Sequence, residues 1–246
     1  MTGFTDIHSH VIYGVDDGAQ TEAEMEAMLD AAHAQGISTL FATSHVTPGV
    51  LPFDHALYEQ HLMQARRYCR ERGYGLTVQA GAEIMYTPAI RHYAAERLLP
   101  TLAGSDHILL EFVPDAAYQE IENAVGLAER SGYVVTLAHI ERYDCLYRAQ
   151  NAYRLKERHD VHYQVNCSTI VDGRGFWKDR QIRAWLRDEM IDFVASDAHN
   201  CIRRPFRMRE AYTALEQRVG EEYAKWLTGL ERSDMGWMSK GLHSEE

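Results

Sequence analysis

TDIHSHVIYGVDDG, residues 5–18, carries a short apolar run into two histidines one residue apart, and then into a pair of aspartates within one loop. A strand leaving its sheet through that much lone-pair chemistry has two readings. Either these are polar residues satisfied locally at a strand end, or the strand delivers metal ligands. The choice depends on what the other strands bring to the same place.

Apolar runs of strand length recur at 4–8, 37–43, 76–82, 107–113, 133–138, 161–166 and 191–196. Helical patterns lie between them. Thr21 and Glu24 form a T-x-x-E capping box for the first helix, and Gly36 closes it before the next strand. Further helices are expected at about 55–72, 88–97, 116–131, 148–158, 178–189 and 207–227. Strand–helix alternation predicts parallel strands joined by right-handed crossovers. The expected fold is α/β: a single-domain β/α barrel of about seven mostly parallel strands, distorted and TIM-like, with a doubly wound sheet as the alternative. The domain is expected over residues 1–230, and ERSDMGWMSKGLHSEE, 231–246, as a polar C-terminal tail.

Composition narrows the function classes. The chain of 246 residues is 46% hydrophobic and 25% charged, as expected of a soluble globular protein. It has no apolar run long enough to span a bilayer, and MTGFTDIHSH has neither the basic flank nor the apolar run expected of a secretion signal. Cys69, Cys145, Cys167 and Cys201 are scattered without C-x-x-C spacing, which suits reduced thiols and a cytoplasmic setting. A net charge of −11 argues against nucleic-acid partners and anionic membranes. A chain this acidic needs a local positive centre to handle phosphate, and metal ions supply one.

The C-terminal ends of the strand runs now matter. The first gives His8 and His10, with Asp16 and Asp17 in its loop; ISTLFATSH gives His45, LTVQAGAE gives Glu83 and HILLEF gives Glu111. YVVTLAH gives His139, and IDFVASDAH gives Asp197 and His199. In a β/α barrel these positions converge on the face where active sites form. One strand-end histidine is usually just hydrogen-bonded, but six strands contributing together is hard to obtain from packing. Crowded carboxylates would repel one another unless cations sat among them. A mixed imidazole–carboxylate set without cysteine suits Mn, Fe or Zn better than Ca or Mg. Nine ligands, counting one aspartate of the DDG pair, exceed the capacity of one ion, so two or three ions sharing carboxylates are expected.

DIHSHVIYGVDDGAQ, FATSHVTPG, GAEIMYTP, HILLEF, VVTLAHIERYD and VASDAHN, spread over residues 6–200, resemble the PHP (polymerase and histidinol phosphatase) superfamily. More narrowly, they are similar to the tyrosine-protein phosphatases of capsule and exopolysaccharide loci in Gram-positive bacteria. The resemblance implies up to three ions, usually Mn2+. The first would take His8, His10, Glu83 and Asp197; the second Glu83, Glu111 and His139; the third Asp17, His45 and His199. Asp17 rather than Asp16 follows from aligning DDG. The implied activity is hydrolysis of phosphotyrosine on a bacterial tyrosine kinase with a tyrosine-rich tail that governs polysaccharide synthesis. The alternatives are a small phosphomonoester such as histidinol phosphate, or a metal-stabilised binding module.

Arg142, three residues past His139, and Arg204, after the seventh strand, are candidates for gripping phosphate, since guanidinium forks match its oxygens. The other reading is a surface ion pair, Arg142 with Glu141 or Asp144. Cys201 to Arg207 fits the C-x5-R spacing of cysteine-dependent phosphatases, but the loop has no glycine and loses a donor at Pro205. Cys201 is read as an ordinary thiol. The loop 46–61 and the exposed-looking Phe176–Trp177 pair are expected either to contact substrate or to pack on their own barrel. Asn166 is expected near the metals without ligating them.

Overall fold

A computed structural model of the chain describes residues 3–230; residues 1–2 and the stretch 231–246 expected as a tail lie outside them. The first strand and helix are β1 (Phe4–Ser9) and α1 (Glu22–Gln35). The expected second strand is divided into β2 (Ile37–Ala42) and β3 (His45–Val46), and α2 (His55–Glu71) follows. The third is likewise divided, into β4 (Thr77–Ala80) and β5 (Glu83–Met85), with α3 (Ile90–Ala95) after it. Then come β6 (His107–Glu111), α4 (Tyr118–Arg130), β7 (Val134–Leu137), α5 (Asn151–Arg158) and β8 (Val161–Asn166). Two helices follow β8, α6 (Cys167–Asp172) and α7 (Phe176–Arg187), before β9 (Phe193–Ala195), α8 (Met208–Val219) and α9 (Glu221–Leu227).

All the strand pairs are parallel, in the orders β1-β2-β4 and β3-β5-β6-β7-β8-β9. Because β2 runs on into β3 and β4 into β5, the two sheets share two strand positions. The far edge returns to the start: His10 N donates to Ala198 O and Asp197 N to His8 O, each at 2.8 Å. Seven strand positions thus ring one axis, as the alternation predicted.

The strand divisions have an identifiable cause. Tyr58, from α2, reaches between β2 and β4, donates to Ala42 O at 2.7 Å and accepts from Gly81 N at 3.1 Å. A side chain there satisfies backbone groups that a continuous ladder would have paired. The expected helix 207–227 is divided at Gly220, whose φ of 85° no right-handed helix accommodates. Helix α6 was not anticipated: its sequence, CSTIVD, is rich in β-branched residues and reads as more of β8. The capping box is present with one shift, since Thr21 Oγ1 accepts from Glu24 N while Glu24 reaches Gln20 N rather than Thr21 N.

Two apolar cores follow from the strand period of two. The larger lies between the strands and the helices and takes Ile84, Ile108, Leu110, Val135, Tyr163, Val165 and Val194. The smaller fills the ring with Ile7, Phe41, Leu102, Leu109, Phe193 and Ala195. Counting in twos from the inner set, Glu111 follows Leu109 and Asp197 follows Ala195. On the same rule Gln164 and Asn166 alternate with the outward Tyr163 and Val165. The inner face therefore changes from apolar to polar at the C-terminal rim, and the candidate ligands stand above a closed plug.

Candidate metal centre

His8 Nε2 lies 3.2 Å from His10 Nε2, 3.0 Å from Glu83 Oε2 and 3.5 Å from Asp197 Oδ1. From His10 Nε2 the same two oxygens are 3.2 and 3.6 Å away. Ligands about 2.1 Å from a tetrahedral ion stand about 3.4 Å from one another. These atoms therefore have the spacing of a coordination cage. A second group joins His45, Glu83 and Glu111, and a third joins His10, Asp17, His45 and His199. His139 Nε2 sits 2.8 Å from Glu83 Oε1 and 3.2 Å from Glu111 Oε1. All nine side chains expected from the sequence thus meet at one rim, with Glu83 central. Only Asp17 is largely exposed.

Neighbouring groups aim the imidazoles. Nδ1 of His10 meets Asp16 Oδ2 at 2.8 Å, Nδ1 of His8 meets Gln164 Oε1 at 3.1 Å, and Nδ1 of His199 meets the Asp197 carbonyl at 3.0 Å. Each partner is an acceptor, so Nδ1 carries the proton and a neutral ring leaves its Nε2 lone pair for the cluster. Asp16 also accepts from the main-chain N–H of His45 at 3.0 Å and of Gly18 at 2.9 Å. Gly18 is required there: a Cβ would lie 2.1 Å from His10 O. DDG thus divides its work, Asp16 orienting His10 while Asp17 Oδ1 stands 3.2 Å from His199 Nε2 and 3.4 Å from His45 Nε2.

Backbone strain marks the same rim. His139 (φ 30°) and Asp197 (φ 54°) are non-glycine residues in the left-handed region. Gln164 Oε1 accepts from His139 N at 2.7 Å, and Asp197 is tied by its N–H to His8 O. Gln164 and Asp16 are functional candidates that motif reading missed. The inward phase of VHYQVN was the available signal for Gln164, while nothing in DDG separates the two aspartates by role.

Arg142 Nη2 donates to Asp197 Oδ2 at 2.5 Å, and Arg204 Nη2 lies 2.7 Å from the same oxygen. The alternative pairs for Arg142 are not formed: Glu141 accepts from Asn166 N and Thr169 Oγ1, and Asp144 is taken by Lys178. Asn166 Nδ2 also donates to Asp197 Oδ2, at 2.7 Å. Three donors thus saturate one oxygen of Asp197 and leave Oδ1 facing the histidines. Cys201 is exposed, and Arg207 turns away from it to Asp172 and Glu210, so C-x5-R builds no phosphate cradle.

The electrostatics show what the cluster lacks. Burial alone would raise the Glu83 pKa, yet His8, His10 and His139 hold it well below the usual carboxylate range. Burial disfavours a charged His10, but Asp16 and Glu83 outweigh it and push its pKa up to about 10. His139 is likewise pushed up to about 9 by Glu111 and Glu83 against burial. Asp197 is held low by His8 and His139 against burial and the charge of Glu83, whereas burial and His10 push His199 down to about 4. The carboxylates demand positive charge, which two imidazoles supply as protons. Meanwhile Glu111 Oε2, Asp197 Oδ1 and His199 Nε2 are buried without a hydrogen-bond partner among the described residues. Each such atom costs about 1–3 kcal/mol unless something completes it. Divalent cations among these lone pairs would satisfy both demands, and the residues fit them.

The whole framework, residues 4–232, matches the family model for capsular polysaccharide synthesis, CpsB/CapC. The chain belongs to the CpsB/CapC family. It is similar to the tyrosine-protein phosphatase CpsB of Streptococcus pneumoniae, with 31% identity over 229 residues, 90% of this chain and 93% of that one. It is also similar to the tyrosine-protein phosphatase YwqE of Bacillus subtilis, with 31% identity over 228 residues, 91% of this chain and 88% of the other. A solved structure, from work on YwqE of Bacillus subtilis and CpsB of Streptococcus pneumoniae as metal-dependent tyrosine phosphatases, superposes with a TM-score of 0.81 at 30% identity. It covers 92% of this chain and 91% of its own. The chain thus shares the fold of that structure, and the resemblance read from the strand-end motifs holds.

Proposed function

We propose that this CpsB/CapC chain is a manganese-dependent protein-tyrosine phosphatase that dephosphorylates a tyrosine kinase controlling capsular or exopolysaccharide synthesis in the cytoplasm. The observation that carries the reading is the convergence of His8, His10, Asp17, His45, Glu83, Glu111, His139, Asp197 and His199 at one rim, with Arg142 and Arg204 beside them. The imidazole–carboxylate set would hold up to three Mn2+ ions, with Fe or Zn as substitutes. Bound there, such ions acidify water and neutralise phosphoryl charge.

The side chains supply the rest. Asp16 and Gln164 hold His10 and His8 in the ligating tautomer. Arg142 and Arg204 line a cavity of about 280 Å³ with Asn166, Ser196 and Arg203, where guanidinium N–H groups can take phosphate oxygens. A second cavity of about 370 Å³ opens beside Asp17 and His45, walled by Leu51, Pro52, Phe53 and Leu57. An aromatic ring fits such a wall, which favours phosphotyrosine over an aliphatic ester. A phenolate leaves with a pKa near 10 and needs less protonation than an alkoxide.

The test is hydrolysis of p-nitrophenyl phosphate and a phosphotyrosine peptide, abolished by chelation and restored by Mn2+. Full activity after exhaustive chelation would overturn the reading. A higher kcat/KM on histidinol phosphate than on a phosphotyrosine kinase tail would move the substrate to the small phosphomonoesters.

A further inference from the structure

A further cavity lies away from the candidate metal centre. It is a groove of about 760 Å³ between the chain after β7, at Asp144, Tyr147 and Arg148, and the outer face of α7. Its charge runs against that of the molecule. On a chain of net charge −11, Arg148, Lys178, Arg180 and Arg187 line it against one carboxylate, Asp144, which Lys178 already neutralises at 2.8 Å. Arg187 is engaged by Asp188, which leaves Arg148 and Arg180 as its cations with no ion pair among the described residues.

The groove also presents aromatic surface. Trp177 and Phe176 open α7 at 75% and 72% exposure, with ring centroids 5.4 Å apart and planes at 81°. Adjacent exposed aromatics contribute nothing to the core and are typical of contact sites. Lys178 Nζ sits 5.0 Å from the Tyr147 ring centre, so the groove floor is itself a cation on an aromatic face.

Position ties the groove to the centre. It is built by the chain after β7, which also supplies Arg142 to the rim, and by α7, which follows the strand β8 that ends at Asn166. Asp144 is two residues from Arg142, so their Cα atoms are at most about 7 Å apart. We propose that this groove docks an acidic polypeptide segment flanking the phosphotyrosine, its carboxylates on Arg148 and Arg180 and an apolar or aromatic side chain on Trp177. This rests on the phosphatase reading for the phosphotyrosine but not for the groove. Electrostatic complementarity then selects the protein substrate, while a free aryl phosphate is insensitive to the groove.

The test compares two phosphotyrosine peptides, one with Asp/Glu flanks and one with Asn/Gln flanks, and p-nitrophenyl phosphate as a probe without flanks. The wild type is expected to show a KM about fivefold to tenfold lower for the acidic peptide, with the advantage shrinking as salt rises. The double variant Arg148→Glu, Arg180→Glu and the single variant Trp177→Ala should raise that KM toward the neutral peptide's. Both should leave kcat, and kcat/KM on p-nitrophenyl phosphate, unchanged. Equal KM values for the two peptides on the wild type, or equal losses on all three substrates, would overturn the proposal. Binding of the unphosphorylated acidic peptide, followed by Trp177 fluorescence, reads the groove without chemistry. A protein that binds it yet hydrolyses nothing when metal-replete would sink the phosphatase reading alone. A concentration-dependent dimer abolished by Trp177→Ala would assign the groove to a second copy and also overturn the proposal.

Discussion

Asp16 Oδ2 holds Nδ1 of His10 at 2.8 Å, fixing a ring whose Nε2 belongs to two of the three candidate ligand groups. Asp16→Asn keeps the size and removes the charge. It should weaken Mn2+ binding about 10-fold to 100-fold, as loss of a carboxylate behind a ligating histidine does. A titration of activity against free Mn2+, with circular dichroism as the check on folding, measures it. An unchanged Mn2+ requirement would show that His10 is held by other means.

Gln164 serves two candidate ligands, at Nδ1 of His8 and at the strained His139 N–H. Gln164→Leu removes both contacts in similar volume and strands the His139 N–H. It should lower thermal stability by about 1–3 kcal/mol and reduce bound metal per chain, read by differential scanning fluorimetry and elemental analysis. A variant with full metal content would refute the orienting role.

Arg142 and Arg204 share one oxygen of Asp197 and line the cavity next to it. Arg142→Ala and Arg204→Ala should each lower kcat/KM on an aryl phosphate by about 10²–10³, with metal content retained. Lysine variants should recover only part, because a point charge cannot bridge two oxygens. Metal loss in step with activity would make both arginines structural supports of Asp197.

The folded, chelated protein holds protons on His10 up to about pH 10 and on His139 up to about pH 9, against an ordinary imidazole value of 6.5. A raised folded-state pKa stabilises fully below the unfolded value, and that contribution drains away as pH rises through the folded one. The chelated protein should therefore lose melting temperature between about pH 6.5 and 10. The Mn2+-loaded protein should change less, and Mn2+ affinity should rise over the same window as protons leave. Parallel melting profiles would contradict this.

Partial desolvation, with the charges of Asp30 and Glu24, pushes the Cys201 thiol up, away from the thiolate that nucleophilic attack requires. Cys201→Ser should retain activity within about twofold, as a neutral surface change does, and alkylation should inhibit no more than that. Loss of activity on alkylation that metal cannot reverse would restore the thiol as a candidate.

The ligand-bearing motifs were legible from the sequence because each ends an apolar run, and parallel strands deliver their C-terminal ends to one rim whatever the details of packing. His8, Glu83, Glu111 and Asp197 needed only that rule. The capping box at Thr21 and the stop at Gly36 were local chemistry and were equally legible, whereas Gly220 divides a helix expected to run through it. The division of β2 from β3 and of β4 from β5 was not, because its cause is Tyr58, an α2 side chain distant from both breaks in sequence. Nor could DDG say that Asp16 turns inward to His10 while Asp17 faces the mouth. That depends on where His45 N–H and His10 O lie in space. Likewise only the tertiary structure brought Arg148, from the chain after β7, to Trp177 and Arg180 on α7, since packing between segments is not encoded in sequence spacing.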